Sequence, residues 1–280
     1  MQSVNTIAEL RAILGAWRRA GDRIAFVPTM GNLHAGHLSL VDAARQRAER
    51  VVVSIFVNPT QFGVGEDFQT YPRTEADDRD KLLAAGVDLL FLPTVPEMYP
   101  PTATTFVSVA GLSELHCGAF RPGHFNGVAT VVTKLFNIVQ PDTAFFGLKD
   151  YQQFVIIRTL VRDLNMPVEL VPVATVREAN GLAMSSRNGY LSAEEKTIAA
   201  QLYQSLRTAR DALLSGGMST AEIESQAQSF LSAAGFITDY FSICRSTDLA
   251  AAAPEDREIV ILAAVRLGKT RLIDNICFSK

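Results

Sequence analysis

The chain has 280 residues, of which 48% are hydrophobic, and its 26 Lys plus Arg against 29 Asp plus Glu leave a net charge of −3. Such a length buries a large core and suits one large domain plus a smaller one, and the near-balanced charge lacks the basic footprint of a nucleic-acid binder. Cys117, Cys244 and Cys277 are odd in number and unclustered, Met1 to Trp17 holds no apolar leader, and the run Ile259 to Val265 is too short to span a bilayer; the reading is a cytoplasmic protein without disulfides, secretion or a membrane partner.

Taken in chain order, periodicity predicts helix 6–20, strand 23–28, helix 36–49, strand 51–57, helix 74–85, strands 87–92 and 104–109, helix 124–139, strand 142–146, helix 151–164 and strand 168–173. This alternation predicts an α/β fold, a Rossmann-like doubly wound parallel sheet, over a first domain 1–175. Past Val176 the texture changes to Ala, Ser and Gln-rich helices at 193–215 and 219–234, then strands at 236–245, 258–265 and 271–278, which make a second, smaller α+β C-terminal domain, 176–280. No repeat or low-complexity linker separates the two, so a site between them is expected, beyond the C-terminal ends of the strands.

Four polar segments fall at such ends. The first is Pro28-Thr29-Met30-Gly31-Asn32-Leu33-His34-Ala35-Gly36-His37, a strand handed to a helix through a Gly-containing turn. Such a junction directs unpaired N–H groups and the positive end of the helix dipole at an anion. Gly31 and Gly36 permit close approach, and His34 and His37, at i and i+3, project to one side where each can donate to a phosphate oxygen. A zinc site would need further ligands, and His116, His124 and the cysteines are distant in sequence.

The second segment is Asn58-Pro59-Thr60-Gln61-Phe62, whose amides suit a hydroxy-acid or amino-acid substrate, with a plain Asn-Pro turn as the alternative. The third, Gly147-Leu148-Lys149-Asp150-Tyr151-Gln152-Gln153, offers Lys149 as a point charge for phosphate and Asp150 either as a helix cap or as a Mg²⁺ ligand; Gln153, one turn on, faces the same cavity. The fourth, Val176 to Asn188, carries Ser185-Ser186-Arg187 as a phosphate clamp on a loop that can move. Arg121 at the Pro122-Gly123 turn, Tyr71-Pro72-Arg73 and Asp77-Asp78 carry weaker signals, and a solvated helix face accounts for the acidic pair.

The order of these segments resembles the pantothenate synthetase family, within the nucleotidyltransferase superfamily that includes class I aminoacyl-tRNA synthetases. His34-Ala35-Gly36-His37 looks like that superfamily's first signature. Met184-Ser185-Ser186-Arg187 looks like its mobile second one, with arginine where the synthetases carry lysine. The resemblance implies a ligase that joins (R)-pantoate to β-alanine at the expense of ATP and Mg²⁺, through a pantoyl adenylate, giving pantothenate, AMP and pyrophosphate. It implies ATP contacts along Pro28 to His37, at Gly147, Leu148, Lys149 and Asp150, and at Val176, Met184, Ser185, Ser186 and Arg187. Gln61 and Gln153 are implied to hold pantoate, with Gln61 also reaching β-alanine. His37 is the implied proton donor, while His34 and Lys149 stabilise charge; the metal ligands stay open. A homodimer through the N-terminal domain is implied too. Two departures stand out: some relatives carry Glu at the place of Cys117, and Leu148 is often Glu or Gln. A nucleotidyltransferase with a stable dinucleotide-like product, a truncated aminoacyl-tRNA synthetase and a non-catalytic nucleotide-binding regulator are the rival readings; the lack of a basic RNA-binding extension argues against the second and the number of phosphate-directed groups against the third.

Overall fold

The computed structural model describes residues 1–63 and 65–280. In chain order the elements are β1 (Gln2–Val4), α1 (Ile7–Ala20), β2 (Ile24–Thr29), α2 (Ala35–Arg45), β3 (Arg50–Ile55), α3 (Glu75–Ala84), β4 (Leu89–Phe91), α4 (Val95–Met98), α5 (Cys117–Phe120), α6 (His124–Val139), β5 (Thr143–Gly147), α7 (Tyr151–Asp163) and β6 (Glu169–Val173), followed by α8 (Ala193–Ala199), α9 (Gln201–Ser215), α10 (Thr220–Ala233), β7 (Ile237–Arg245), β8 (Glu258–Leu267) and β9 (Thr270–Ser279).

Six strands pair in parallel in the order β1-β4-β3-β2-β5-β6. The register sets Ala25 and Phe26 of β2 beside Val51 and Val52 of β3 on one side and Thr143 and Ala144 of β5 on the other. The chain steps outward from β2 to β3 and β4, then crosses back to lay down β5 and β6. Strand order therefore reverses between β2 and β5, and the connections that leave those two strands must diverge, opening a crevice at their C-terminal ends.

Alternate residues of each strand feed opposite layers. Ile24 and Phe26 pack with Leu10 and Leu14 of α1 and Val128 and Leu135 of α6, whereas Ala25 and Val27 pack with Leu40 and Val41 of α2 and Leu82 of α3. A strand covered on both faces must be apolar at every position, which is why these strands read as unbroken apolar runs.

The remaining three strands form a separate antiparallel sheet, β7-β8-β9. Ile259, Ile261, Ala263 and Val265 of β8 face Leu202 and Leu206 of α9 and Ile223 and Leu231 of α10. Val260 and Leu262 turn the other way and pack on Tyr151 and Val155 of α7. The second sheet is thus seated on the helix that begins at the crevice, and its central strand is apolar on both faces for the same reason as β2.

The observed fold is the doubly wound α/β arrangement with a smaller α+β part, and it departs from the sequence reading at several places, among them the short helices α4 and α5, which periodicity did not predict. Residues 104–109 form no strand: the backbone of Val107 is satisfied by Thr130 Oγ1 of α6, which accepts its N–H at 2.9 Å, and Phe106 is 71% exposed. The edge next to β4 is taken instead by the three-residue β1, too short to show a periodicity. The helix read over 193–215 is divided at Ala200 into α8 and α9.

Candidate active site

The first wall of the crevice is the β2–α2 junction. Gly31 (φ 82°) and Asn32 (φ 51°) both take left-handed conformations, which reverse the chain as it leaves the sheet. That turn directs the N–H groups of Asn32 and Leu33 at the carboxylate of Asp78, at 2.8 and 2.7 Å. Asp78 is only 1% exposed and accepts also from Thr74 Oγ1 at 3.2 Å. Lys81, one turn further along α3, donates to the Leu33 carbonyl at 2.8 Å. Asp78 is therefore no solvated surface charge, as the acidic pair suggested; it is the brace of the turn.

His34 is the N-cap of α2, and its Nδ1 accepts the N–H of Gly36 at 3.1 Å; in return the Nδ1 of His37 accepts the N–H of His34 at 3.3 Å. The rings lie 4.1 Å apart. Since both Nδ1 atoms accept, both protons sit on Nε2, so the pair presents two neutral N–H donors. Burial, and then the nearby Lys149 charge, push His34 down to about 4; burial, then His34 and Lys149, push His37 down to about 3.

The expectation of free backbone donors is corrected here. The N–H groups of Gly31, Asn32, Leu33, His34 and Gly36 are not left for an anion: Thr29, Asp78, His37 and His34 take them up. A buried donor without a partner is costly, and in this turn side chains meet that cost. The side-chain donors that this turn leaves to face a ligand are imidazole Nε2–H groups, together with the positive end of α2.

The second wall follows β3. Asn58, 1% exposed, is fully engaged: its Oδ1 accepts from Thr60 and Tyr99 hydroxyls at 2.9 Å each, and its Nδ2 donates to Gln61 Oε1 at 3.0 Å and to the Gly127 carbonyl at 3.1 Å. Asn58 is scaffolding for Gln61. Gly127 admits this packing because a Cβ there would lie 2.3 Å from the Thr60 carbonyl oxygen. His124 Nδ1 donates to the Gln61 carbonyl at 2.7 Å, and Arg121 Nη1 donates to His124 Nε2 at 3.0 Å; burial, then Arg121, hold this ring down at about 4. Arg121 is in turn gripped by Glu66 at 2.6 and 2.5 Å.

The third wall follows β5, across the switch point. Lys149 stands with its Nζ 3.9 Å from Asp150 Oδ1. Asp150 makes no side-chain cap on α7, which removes the capping alternative and leaves an exposed carboxylate at the rim. Gln152 is structural, with its Oε1 accepting from the Cys117 N–H at 3.1 Å and its Nε2 donating to the Leu112 and Leu115 carbonyls. Leu148 and Lys149 carbonyls accept from Asn275 Nδ2 of β9 at 2.8 and 2.9 Å.

The fourth wall is the loop after β6. Arg177 is paired with the buried Asp274 at 2.6 and 3.0 Å and lies 3.5 Å over the Tyr203 ring, so it anchors the loop rather than facing a ligand. Ser186 Oγ donates to the Asn32 carbonyl at 3.2 Å, and Asn32 Nδ2 donates to the Ser186 carbonyl at 3.3 Å. Arg187 is held by Asp67.

These walls enclose a cavity of about 840 Å³, a size that suits a nucleotide with a small acid. Pro28, Thr29, Met30, His34, Gly36, His37, Gln61, Gly147, Lys149, Asp150, Gln153, Val176, Met184, Ser185, Ser186 and Arg187 all line it. Gly31, Asn32, Leu33, Ala35 and Leu148 do not: Gly31 and Leu33 are buried, Asn32 bonds Ser186, Ala35 is on the exposed side of α2, and Leu148 packs into the core. Residues that sequence reasoning undervalued also bear on it. Asp67, Tyr71, Arg121 and His124 line the cavity, and Asp78 shapes it from behind. Among the described residues no three His, Cys, Asp or Glu side chains cluster as a metal site, and no helix is long and apolar enough to cross a membrane.

A doubly wound sheet whose switch-point crevice sets imidazole and ammonium donors opposite amides defines an α/β protein with a ligand site suited to an anion. Comparison with known proteins narrows the class. The family model for pantoate–β-alanine ligase matches residues 2–277. The pantothenate synthetase of Methylococcus capsulatus is 56% identical over 281 residues, covering 100% of this chain and 98% of that protein. The crystal structure of pantothenate synthetase from Thermus thermophilus superposes with a TM-score of 0.93 at 49% identity, covering 99% of each chain. That of pantoate–β-alanine ligase from Francisella tularensis, complexed with beta-gamma ATP and β-alanine, superposes with a TM-score of 0.84 at 33% identity, covering 99% of this chain and 97% of that one. The chain belongs to the pantoate–β-alanine ligase family.

Proposed function

We propose that this chain condenses (R)-pantoate with β-alanine in two steps: the pantoate carboxylate attacks the α-phosphorus of ATP, pyrophosphate leaves, and the β-alanine amine then displaces AMP from the pantoyl adenylate to give pantothenate. A carboxylate resists attack by an amine, and the adenylate converts its oxygen into a good leaving group. The observation that carries the reading is the meeting of His34, His37 and Lys149 with Gln61 and Gln153 on one cavity at the β2/β5 switch point.

Charge gathers on the phosphoryl oxygens as pyrophosphate departs, and preorganised donors stabilise it most where water is excluded. Lys149 supplies a point charge. His34 and His37 supply Nε2–H donors; both are neutral near pH 7, so in the free enzyme His37 gives a hydrogen bond rather than a proton. Pro28 to Met30, Gly147, Val176 and Met184 to Arg187 surround the nucleotide. Gln61, oriented by Asn58 and His124, holds pantoate with Gln153 and reaches the incoming β-alanine. Mg²⁺ enters with the nucleotide: the rim carboxylate of Asp150, uncommitted to helix capping, fits a cation that takes one carboxylate plus phosphates and water, and bound there it would neutralise phosphate charge. Residues 1–175 form the nucleotide- and pantoate-binding domain and 176–280 a lid domain. The chain works in the cytoplasm as a homodimer.

Incubation with Mg²⁺-ATP and pantoate, with and without β-alanine, tests the reading by its products. AMP, pyrophosphate and pantothenate in equal amounts only when all three substrates are present are expected; ADP in place of AMP would overturn the adenylate.

A further inference from the structure

The connection between Gln61 and α3 carries two adjacent carboxylates, and the second, Asp67, reaches 120 residues along the chain to Arg187. The pairing is side-on: Arg187 Nε donates to Asp67 Oδ2 and Nη2 to Oδ1, both at 2.9 Å. Its mount is rigid. Phe62 packs against Phe68 and edge-on against Tyr71, with ring centroids 5.3 and 5.9 Å apart. Arg73 donates to the carbonyls of Phe68, Gln69 and Tyr71, and Glu66 next door is fixed on Arg121. Tyr71, 5% exposed, lies under the Arg187 guanidinium at 5.7 Å.

We propose that Asp67 is a positioning residue for the reaction: it holds the Nε/Nη2 edge of Arg187 so that the Nη1 end is presented to the nucleotide phosphates. A guanidinium has five donors in a planar fork, so a carboxylate on one edge leaves the other end available. Among the described residues Nη1 of Arg187 has no hydrogen bond, and Arg187 and Asp67 line the same cavity. A long side chain fixed in this way gives up little rotamer freedom when phosphate arrives, so the fixed orientation outweighs the charge that Asp67 offsets. Asp67 touches no reacting atom; it acts through Arg187.

The inference rests on the proposed ATP site, and a double-mutant cycle separates the two. Asp67→Asn is expected to lower kcat about tenfold or more, with the KM for pantoate within twofold and the Tm unchanged. Asp67→Glu recovers part of the loss, and in an Arg187→Ala background Asp67→Asn has no further effect. Equal or higher kcat/KM for ATP in Asp67→Asn, or a loss that multiplies with that of Arg187→Ala, overturns it. The same cycle is read in the affinity for a non-hydrolysable ATP analogue: wild-type protein that binds the analogue but makes no AMP would end the ligase reading, while the Asp67–Arg187 coupling in that affinity still decides this one.

Discussion

The two stretches that resemble superfamily signatures are built on different principles. Pro28 to His37 is fixed from within the first sheet's own layers: Asp78 and Lys81 of α3 grip the turn, and the two histidines cap each other's backbone. Ser185 to Arg187 is fixed from across the cavity, through Asn32 and Asp67, while Arg177 and Asp274 secure its base to the second sheet. The first stretch takes most of its hydrogen bonds from one sheet's own layers, and the second takes its hydrogen bonds from across the cavity. On the proposed function, His34 and His37 of the first are expected to stabilise transition-state charge with Lys149, and the second is expected to add Arg187 while enclosing the nucleotide.

Breaking the brace of the first stretch should have the largest effect. Asp78→Ala leaves two buried N–H groups unpaired, at ~1–3 kcal/mol each, so a loss of about 4 kcal/mol in urea denaturation is expected; a change under about 1 kcal/mol would show the turn to be held otherwise. Removing the donors that the turn presents comes next. Lys149→Ala and His37→Ala should each reduce pyrophosphate release by about 10²-fold, the usual scale for a charge-stabilising group. If His37→Ala raised only the KM for ATP, that ring would be a ground-state binder.

Acid tests the neutral rings. His37 and His124 are held at about 3 and about 4, below the ordinary 6.5. Their contribution to stability is full above pH 6.5 and is lost as pH falls towards those values, at up to ~1.4 kcal/mol per pH unit for each. The urea midpoint should therefore drop between about pH 7 and pH 5, and an unchanged midpoint would contradict the neutral state assigned to these rings. The smallest effect is expected across the cavity: Ser186→Ala removes one half-exposed hydrogen bond, worth about 1 kcal/mol or less, and should appear in the KM for ATP rather than in Tm.

The strands were legible because burial on both faces leaves an unbroken apolar run, and the strand-Gly-helix junction around His34 was legible because its spacing is local. Residues 104–109 misled because a Thr- and Val-rich run has strand propensity whether or not a sheet edge is open to it. The supports of the site were least legible. Asp78 meets Asn32 from 46 residues away and Asp67 meets Arg187 from 120, distances that no local pattern encodes. One signal was present for Asp78: it stands one turn before the buried Leu82, on the apolar face of α3, and a carboxylate there requires a partner. Asn58 shows the converse, since an amide beside a ligand segment proved to be wholly committed to the protein.

Pantoate labelled with oxygen-18 in its carboxylate, converted with Mg²⁺-ATP and β-alanine, reports the chemistry of this cavity most directly. One labelled oxygen carried into the phosphate of AMP is the result expected for attack of that carboxylate on the α-phosphorus; AMP free of label, or label released in inorganic phosphate, would contradict the adenylate route.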